Sequence, residues 1–514
     1  MPTTRVPCDQ CRHRRVRCDG TTPCLHCQRS GLSCRRDYVR KRRGPKYGSG
    51  MKIAALRAAE SLERALAGTA LQPASNIANI TDRRQQPQQE ARPPLDACSG
   101  NDFSEQVLPL VKRCVRVYLH HMYPIMPIIR PAELHAMLDR PRKANETSML
   151  LALCALVTTF MCGRSESILG DDQWRPVAQY FLGESIALRS CYGHIEDDSV
   201  FTLLASFFVS TAYFELHYVR LCWFYLREAI TLAQGLGLHT EEFYLQFDNV
   251  EALYYRRIYY ILFITERSFA ISQHKPVLLT QPLPLPIGAP EDERSEIDVG
   301  FRQLIQTYSQ LDVDFINFWS RFGSALSAPS SLLRPLDALH LEPVPHGTDG
   351  VSDTQKVDIL VTRHWLQLVY WKSALHHSLL SSAAQTRSMT FAYPEDIALS
   401  LLRVLSSVST ESIEVHGLGI FEKIFDIGSV LADIIHCSIK LTGQTCVVSQ
   451  NMDRLDAILQ HLYLTPNSRA KYAQALQPRV SSCFLLCTNN IPIGLTCHSP
   501  GARVLEELEE GDPA

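Results

Sequence analysis

Cys8-Asp9-Gln10-Cys11-Arg12-His13-Arg14-Arg15-Val16-Arg17-Cys18 is followed, after a five-residue loop, by Cys24-Leu25-His26-Cys27 and then by Cys34. Cysteines at spacings of two and then six residues occur twice in this stretch. Two tetrahedral zinc ions need eight thiolate bonds if no ligand is shared. Six cysteines supply eight only where two of them bridge both metals, and a duplicated spacing suits that arrangement. One zinc with four thiolates would leave two cysteines idle and the repeat unexplained. A disulfide-stapled module is the competing reading. No apolar signal segment follows Met1, and arginines crowd the space between the cysteines, so that reading is set aside. Zinc, two ions per chain, is the expected cofactor, held by Cys8, Cys11, Cys18, Cys24, Cys27 and Cys34.

The residues between the ligands indicate what the metal is for. Two zinc ions and six thiolates leave the cluster at about −2 in formal charge. Residues 1–50 carry thirteen Lys and Arg against three Asp, far more than that local charge requires. A short helix starting at Cys11 would spread Arg12, Arg14, Arg15 and Arg17 around one exposed end, with almost nothing apolar to join a core. Its natural partner is a polyanion. Val16 and Leu32 are expected to be the small apolar filling of the module. His13 is expected at its surface, since the thiolate set is already complete.

Residues 8–34 resemble the DNA-binding module of the fungal zinc binuclear cluster transcription factors. The likeness rests on every cysteine spacing, the basic run after the second cysteine, Cys18-Asp19-Gly20, and Pro23 before the fourth cysteine. It implies that Cys8 and Cys24 bridge the metals, with Cys11 and Cys18 on one zinc and Cys27 and Cys34 on the other. It also implies double-stranded DNA with CGG-type triplets as the partner. Arg15 would read bases, the backbone of Arg14 and Arg15 would help, and Arg12 and Arg17 would grip phosphates. Lysine is the usual family residue where this chain has Arg15. An arginine can still take guanine O6 and N7 in a bidentate fork.

Arg35-Arg36-Asp37-Tyr38-Val39-Arg40-Lys41-Arg42-Arg43-Gly44-Pro45-Lys46 reads as an extended basic strap, because Gly44 and Pro45 break any helix. It suits both backbone contact with DNA and nuclear import, which implies a nuclear protein. Residues 51–71 read as a short helix, either a weak dimerisation element that would make a homodimer or a solitary amphipathic helix. Residues 72–102 are polar and proline-containing, a linker by composition.

Residues 103–497 differ in kind. The whole chain carries a formal charge of −2, so everything after residue 50 is acidic overall. Apolar segments at helical spacing recur at 107–122, 148–162, 174–191, 200–213, 223–238 and 253–271, and again at 301–322, 359–380, 397–408, 420–441 and 455–464. The fold class expected is a small zinc-cluster module of two short helices followed by a large all-α domain. The run 149–162 is too short to span a bilayer and fits a buried helix, so no membrane partner is expected. Trp223 to His239, with Arg256 to Tyr260 and Glu266-Arg267 beyond it, resembles the same family's middle homology region. Ala229, Ala233 and Gly235 are expected to let helices approach closely, and Glu266 and Arg267 to form fixed ion pairs. His120-His121 and His376-His377 are expected at helix surfaces or in core hydrogen bonds.

No phosphate-binding loop, nucleophile elbow or zinc-protease helix occurs, so no enzyme is expected. Three classes compete: a sequence-specific transcription regulator, a metabolite-binding helical protein that its zinc module merely localises, and a zinc- or redox-sensing protein. A zinc store gains nothing from a basic helix, and the first class is preferred. The resemblance implies a pathway-specific activator that recruits transcription machinery for a metabolic gene cluster, with secondary metabolism ranked ahead of sugar use. Residues 498–514 form a short acidic tail.

Overall fold

The computed structural model describes residues 7–14, 16–35, 107–162, 174–286, 295–320, 350–442 and 445–489. Arg15, Arg40, Lys41, Arg42, Arg43 and Lys46 lie outside these residues, as do 51–71, 72–102 and the 498–514 tail. Two compact units are present, one within residues 1–56 and one within 57–514. Among the described residues every regular element is helical.

The small unit has two one-turn helices, Asp9–His13 and Leu25–Arg29. The first begins at Asp9 rather than at Cys11, because Cys8 already supplies the extended residue that starts the turn. Of the clustered arginines described, only Arg12 therefore lies within the helix, and Arg14 forms its C-terminal cap.

In the large unit, helix Ala144–Phe160 is the centre of a first core. Met149 to Val157 are buried without interruption, as their unbroken apolar run requires of a helix covered on all sides. Helices Trp174–Leu188 and Val200–Glu215 pack against it. Where two of them cross, the small Ser148 and Ser185 meet, and Ser148 Oγ donates to the Ser185 carbonyl at 3.0 Å. No described helix is long and apolar enough to cross a membrane.

Helix Asn249–Gln273 starts where Asp248 accepts the backbone N–H groups of Val250 and Glu251. It carries the Glu266-Arg267 pair into the interior. Glu266 accepts Arg227 Nη1 at 2.5 Å and the backbone N–H groups of Leu278 and Leu279 at 2.7 and 2.9 Å. Arg267 departs from the expectation of an ion pair. Its guanidinium donates to the Leu279 and Leu311 carbonyls at 2.9 and 3.1 Å and lies 3.3 Å from the Phe263 ring centroid. Both side chains thus fix the segment after the helix, and the hydroxyls of Tyr259 and Tyr260 extend that seam by donating to the Gln281 and Leu283 carbonyls. Ala229 and Ala233 are buried as expected. Gly235 is not a close-approach site, since a Cβ there would meet nothing within 4 Å.

Helix Asp353–His376 is the wall between two cores. Trp365, Leu366, Val369 and Tyr370 face the first. Val357, Val361, Leu368 and Trp371 face the second, which is completed by helices Tyr393–Ser406, Leu418–Thr442, Thr445–Leu462 and Gln474–Asn489. A partly buried polar seam runs along this boundary. Lys423 Nζ donates to Thr362 Oγ1 at 2.6 Å with Asp358 at 3.8 Å, and Lys372 pairs with Asp426 at 2.7 Å. At one end, the fully buried Glu215 accepts the Leu418 backbone N–H at 2.6 Å and lies 3.4 Å from Asn467 Nδ2. Burial pushes its carboxyl up to about 8.

Candidate metal centre and nucleic-acid interface

The duplicated Cys-x2-Cys spacing has a local cause. Cys8 and Cys24 each sit in extended backbone directly before a helical turn, at φ −66°, ψ 159° and φ −75°, ψ 150°. A residue at that position faces the backbone N–H three residues on. The Cys27 N–H accordingly donates to Cys24 Sγ at 3.4 Å. At Cys8 no such capping bond closes, and the nearby Cys11 backbone N–H is the main cause that lowers its thiol to about 6. Cys11 and Cys27 point inward from the same turns, and their burial raises both thiols.

The six sulfurs form two overlapping sets of four. One holds Cys8, Cys11, Cys18 and Cys24, the other Cys8, Cys24, Cys27 and Cys34, and within each set the ligand atoms lie within 4.8 Å of one another. Cys8 and Cys24 belong to both. Sγ–Sγ separations are 3.8 Å for Cys8–Cys24, 3.6 Å for Cys8–Cys27 and 3.5 Å for Cys11–Cys24. A tetrahedron with zinc–sulfur bonds of about 2.3 Å has sulfur–sulfur edges of about 3.8 Å. A disulfide needs about 2.0 Å, and all six thiols are free. The donor set therefore fits two zinc ions, the complement of a Zn(2)-Cys(6) domain.

The loops between the ligands are tied without a core. The Asp19 carboxylate accepts the Thr21 N–H at 3.0 Å, the Thr21 hydroxyl at 2.9 Å and the Leu25 N–H at 2.8 Å. Those bonds, led by the Leu25 N–H, hold its carboxyl below the usual range. The Asp9 N–H donates to the Arg35 carbonyl at 2.9 Å and so joins the two ends of the module. Val16 packs against the sulfur cluster. Leu32 does not fill the interior as expected: it is 38% exposed, because its side chain projects beyond a cluster too small to need it.

Arg12, His13, Arg14 and Arg17 are exposed, and Arg14 Nη1 donates to Ser30 Oγ at 3.2 Å. Arg17 and Arg29 line one groove together with His26. His26 is a groove residue that the sequence reading does not pick out; its place directly before a ligand cysteine, in the register of Gln10 before Cys11, is the signal available. In the large unit, His120 is exposed, and His377 Nδ1 lies 2.8 Å from the Ser373 carbonyl.

Comparison with known proteins agrees with both units. Residues 6–44 match the fungal Zn(2)-Cys(6) binuclear cluster domain, and residues 115–407 match the fungal specific transcription factor domain. A probable sucrose utilization protein of Candida albicans is 26% identical over 446 residues, covering 86% of this chain and 81% of that protein. A maltose fermentation regulatory protein of Saccharomyces cerevisiae is 23% identical over 435 residues, covering 83% of each. Cutinase transcription factor 1 alpha of Fusarium vanettenii is 26% identical over 285 residues, or 52% of this chain and 29% of its own length. The first matched domain is a zinc cluster that binds DNA, the second is a transcription factor domain, and the relatives include proteins named as a regulator and a transcription factor rather than as enzymes. With the second domain alone spanning more than half of its residues, this chain belongs to the fungal zinc binuclear cluster transcription factors.

Proposed function

We propose that this chain is a nuclear, sequence-specific activator of sugar-utilisation genes that reads CGG-type triplets in double-stranded DNA. The observation that carries the DNA-reading part is the exposure of Arg12, Arg14 and Arg17 on a small module whose buried side chains are its cysteines. In this reading Cys8 and Cys24 bridge two zinc ions, Cys11 and Cys18 complete one site, and Cys27 and Cys34 complete the other. The overlap of the two sulfur sets at Cys8 and Cys24 supports that assignment. Arg15 contacts guanine edges, Arg12 and Arg17 contact phosphates, and Arg40, Lys41, Arg42 and Arg43 follow the backbone. The same strap, with Lys46, directs import. Residues 1–50 bind DNA, 51–71 offer a pairing element, 72–102 link, and 103–497 control recruitment of the transcription machinery, with 498–514 as an acidic tail.

For the pathway, the regulators similar over most of this chain are named for sucrose and maltose use. That reverses the ranking expected from the sequence, which put secondary metabolism first.

Binding of the full chain to a CGG-containing duplex, followed by fluorescence anisotropy across a salt series, tests the DNA reading. Arg15→Ala should cost about 1–3 kcal/mol and flatten the preference at the guanines. Arg12→Ala or Arg17→Ala should weaken all duplexes alike and lower the salt slope by about one. Unchanged base preference in Arg15→Ala would remove the assigned reader.

A further inference from the structure

Helices Pro131–Asp139, Val200–Glu215 and Asn249–Gln273 all begin around one cleft of about 240 Å³. Its floor is apolar, formed by Ile129, Leu204 and Ile258. Its rim is not. Arg130 stands directly before the first helix, Ser199 before the second, and Glu251 lies in the first turn of the third. Glu133, Asp198 and the rings of Tyr254 and Tyr255 complete the lining.

The charges here are mixed. The helix starts contribute partial positive charge, although Asp248 already accepts the first N–H groups of the third, and Arg130 adds a full one. Glu133, Asp198 and Glu251 oppose them, and burial raises the Glu133 carboxyl above its ordinary value. A strongly charged ligand of either sign would meet groups of its own sign. A neutral molecule with many hydroxyls would meet donors and acceptors side by side. Arg130 Nη2 reaches Glu251 Oε1 only at 3.5 Å, well beyond the roughly 2.7–2.9 Å of a tight charged pair, so both groups retain hydrogen-bonding capacity toward the cleft. Tyr254 is held by a 2.7 Å hydroxyl–hydroxyl bond to Tyr123, which fixes its ring in the wall. Apolar floor, aromatic wall and a few convergent polar groups are the composition of a small-molecule site.

We propose that this cleft binds a small neutral polyol, a sugar ring held through its hydroxyls by Glu133, Glu251 and Arg130, and that it is the effector site of the helical domain. The choice of a sugar among neutral polar molecules rests on the pathway reading above. Because the walls come from residues 128–133, 198–204 and 251–258, a bound ring ties together three helix starts that the chain itself joins only through long connections.

Calorimetric titration of the zinc-loaded full chain with glucose, maltose and sucrose tests the site, with putrescine and inorganic phosphate as charged probes. At least one sugar should bind saturably, and Glu133→Gln and Glu251→Gln should each weaken it by about tenfold or more. Zinc content and helical circular dichroism of the variants should stay at wild-type values. A deoxy analogue lacking a bonded hydroxyl should bind less well, because it leaves a donor or acceptor of the cleft without its partner in the complex. Absence of sugar binding, equal binding by both variants, or tighter binding of putrescine or phosphate each overturns the proposal. A sugar-gene reporter in cells is read separately. Reporter control without sugar binding removes the site and leaves the pathway standing, whereas sugar binding without reporter control does the reverse.

Discussion

In the described part of residues 7–35 the buried side chains are Cys8, Cys11, Cys24 and Cys27, whereas the helical unit buries two large apolar clusters that share one wall helix. The first unit has sulfur where the second has hydrocarbon. Metal binding supplies the folding free energy of a module that cannot bury enough surface to stand alone. The larger unit needs no such staple, and its problem is the opposite one, of accommodating polar groups such as Glu215 and Lys423 inside. Stability in the two regions should therefore answer to different perturbations.

The largest effect expected is from chelation. Stripping zinc should unfold the small unit, a loss on the order of 10 kcal/mol, while the helical signal and its thermal transition persist. Elemental analysis should give two zinc ions per chain beforehand. A helical unit that melted on chelation would break the contrast outright.

The reciprocal perturbation is a core truncation. Phe421 is fully buried in the second apolar cluster. Phe421→Ala should cost about 3–5 kcal/mol in the helical unit, read as a lowered thermal midpoint. Zinc content and binding to a DNA duplex should be those of the wild type. Loss of zinc in this variant would mean that the two units fold as one.

The difference between the regions also explains how much of each was legible. Zinc chemistry is written in residue type and spacing, so the ligands of the small unit could be read before any geometry. Helices in the large unit were legible where apolar spacing persists, as at Val200–Glu215. They were illegible where local bonds override it. The apolar run at 301–322 is broken between Ser309 and Val313, because Asp312 Oδ1 accepts the Phe315 N–H and restarts the helix. Helix Gln474–Asn489 runs through Pro478, a residue whose missing N–H ordinarily interrupts a helix, so its full extent is set by packing against the second core. The seam and the cleft were hidden for another reason. Glu215 finds Leu418 and Asn467, and Arg130 finds Glu251, across separations that no local pattern records.

That seam gives a subtler test than truncation. The Glu215 carboxyl is raised to about 8, chiefly by burial, with Lys471 the nearby charge that opposes the rise. Its folded value lies above its unfolded one, so the native state holds the proton more tightly. The associated stability is complete below the ordinary carboxylate range and is lost as pH climbs toward and through about 8. The thermal midpoint of the helical unit should fall across that window, and Glu215→Gln should flatten the fall. Parallel curves for wild type and variant would remove the carboxyl as the cause.

The smallest effect expected comes from glycines, and it separates surface from seam within the helical unit itself. Gly235 lies inside helix Val219–Leu236, and a Cβ there meets nothing within 4 Å. Gly235→Ala should stabilise by about 0.5–1 kcal/mol, because alanine loses less backbone freedom on entering a helix. Gly417 presents the reverse case. Its φ of +59° disfavours any side chain, and a Cβ would stand 2.5 Å from Glu215 Oε1. Gly417→Ala must therefore disturb the carboxyl that receives the Leu418 N–H, and it should lower the thermal midpoint. Melting the two variants side by side at one pH reads the contrast directly. If both shifted the midpoint in the same direction, the seam would not be the constrained region that its hydrogen bonds describe.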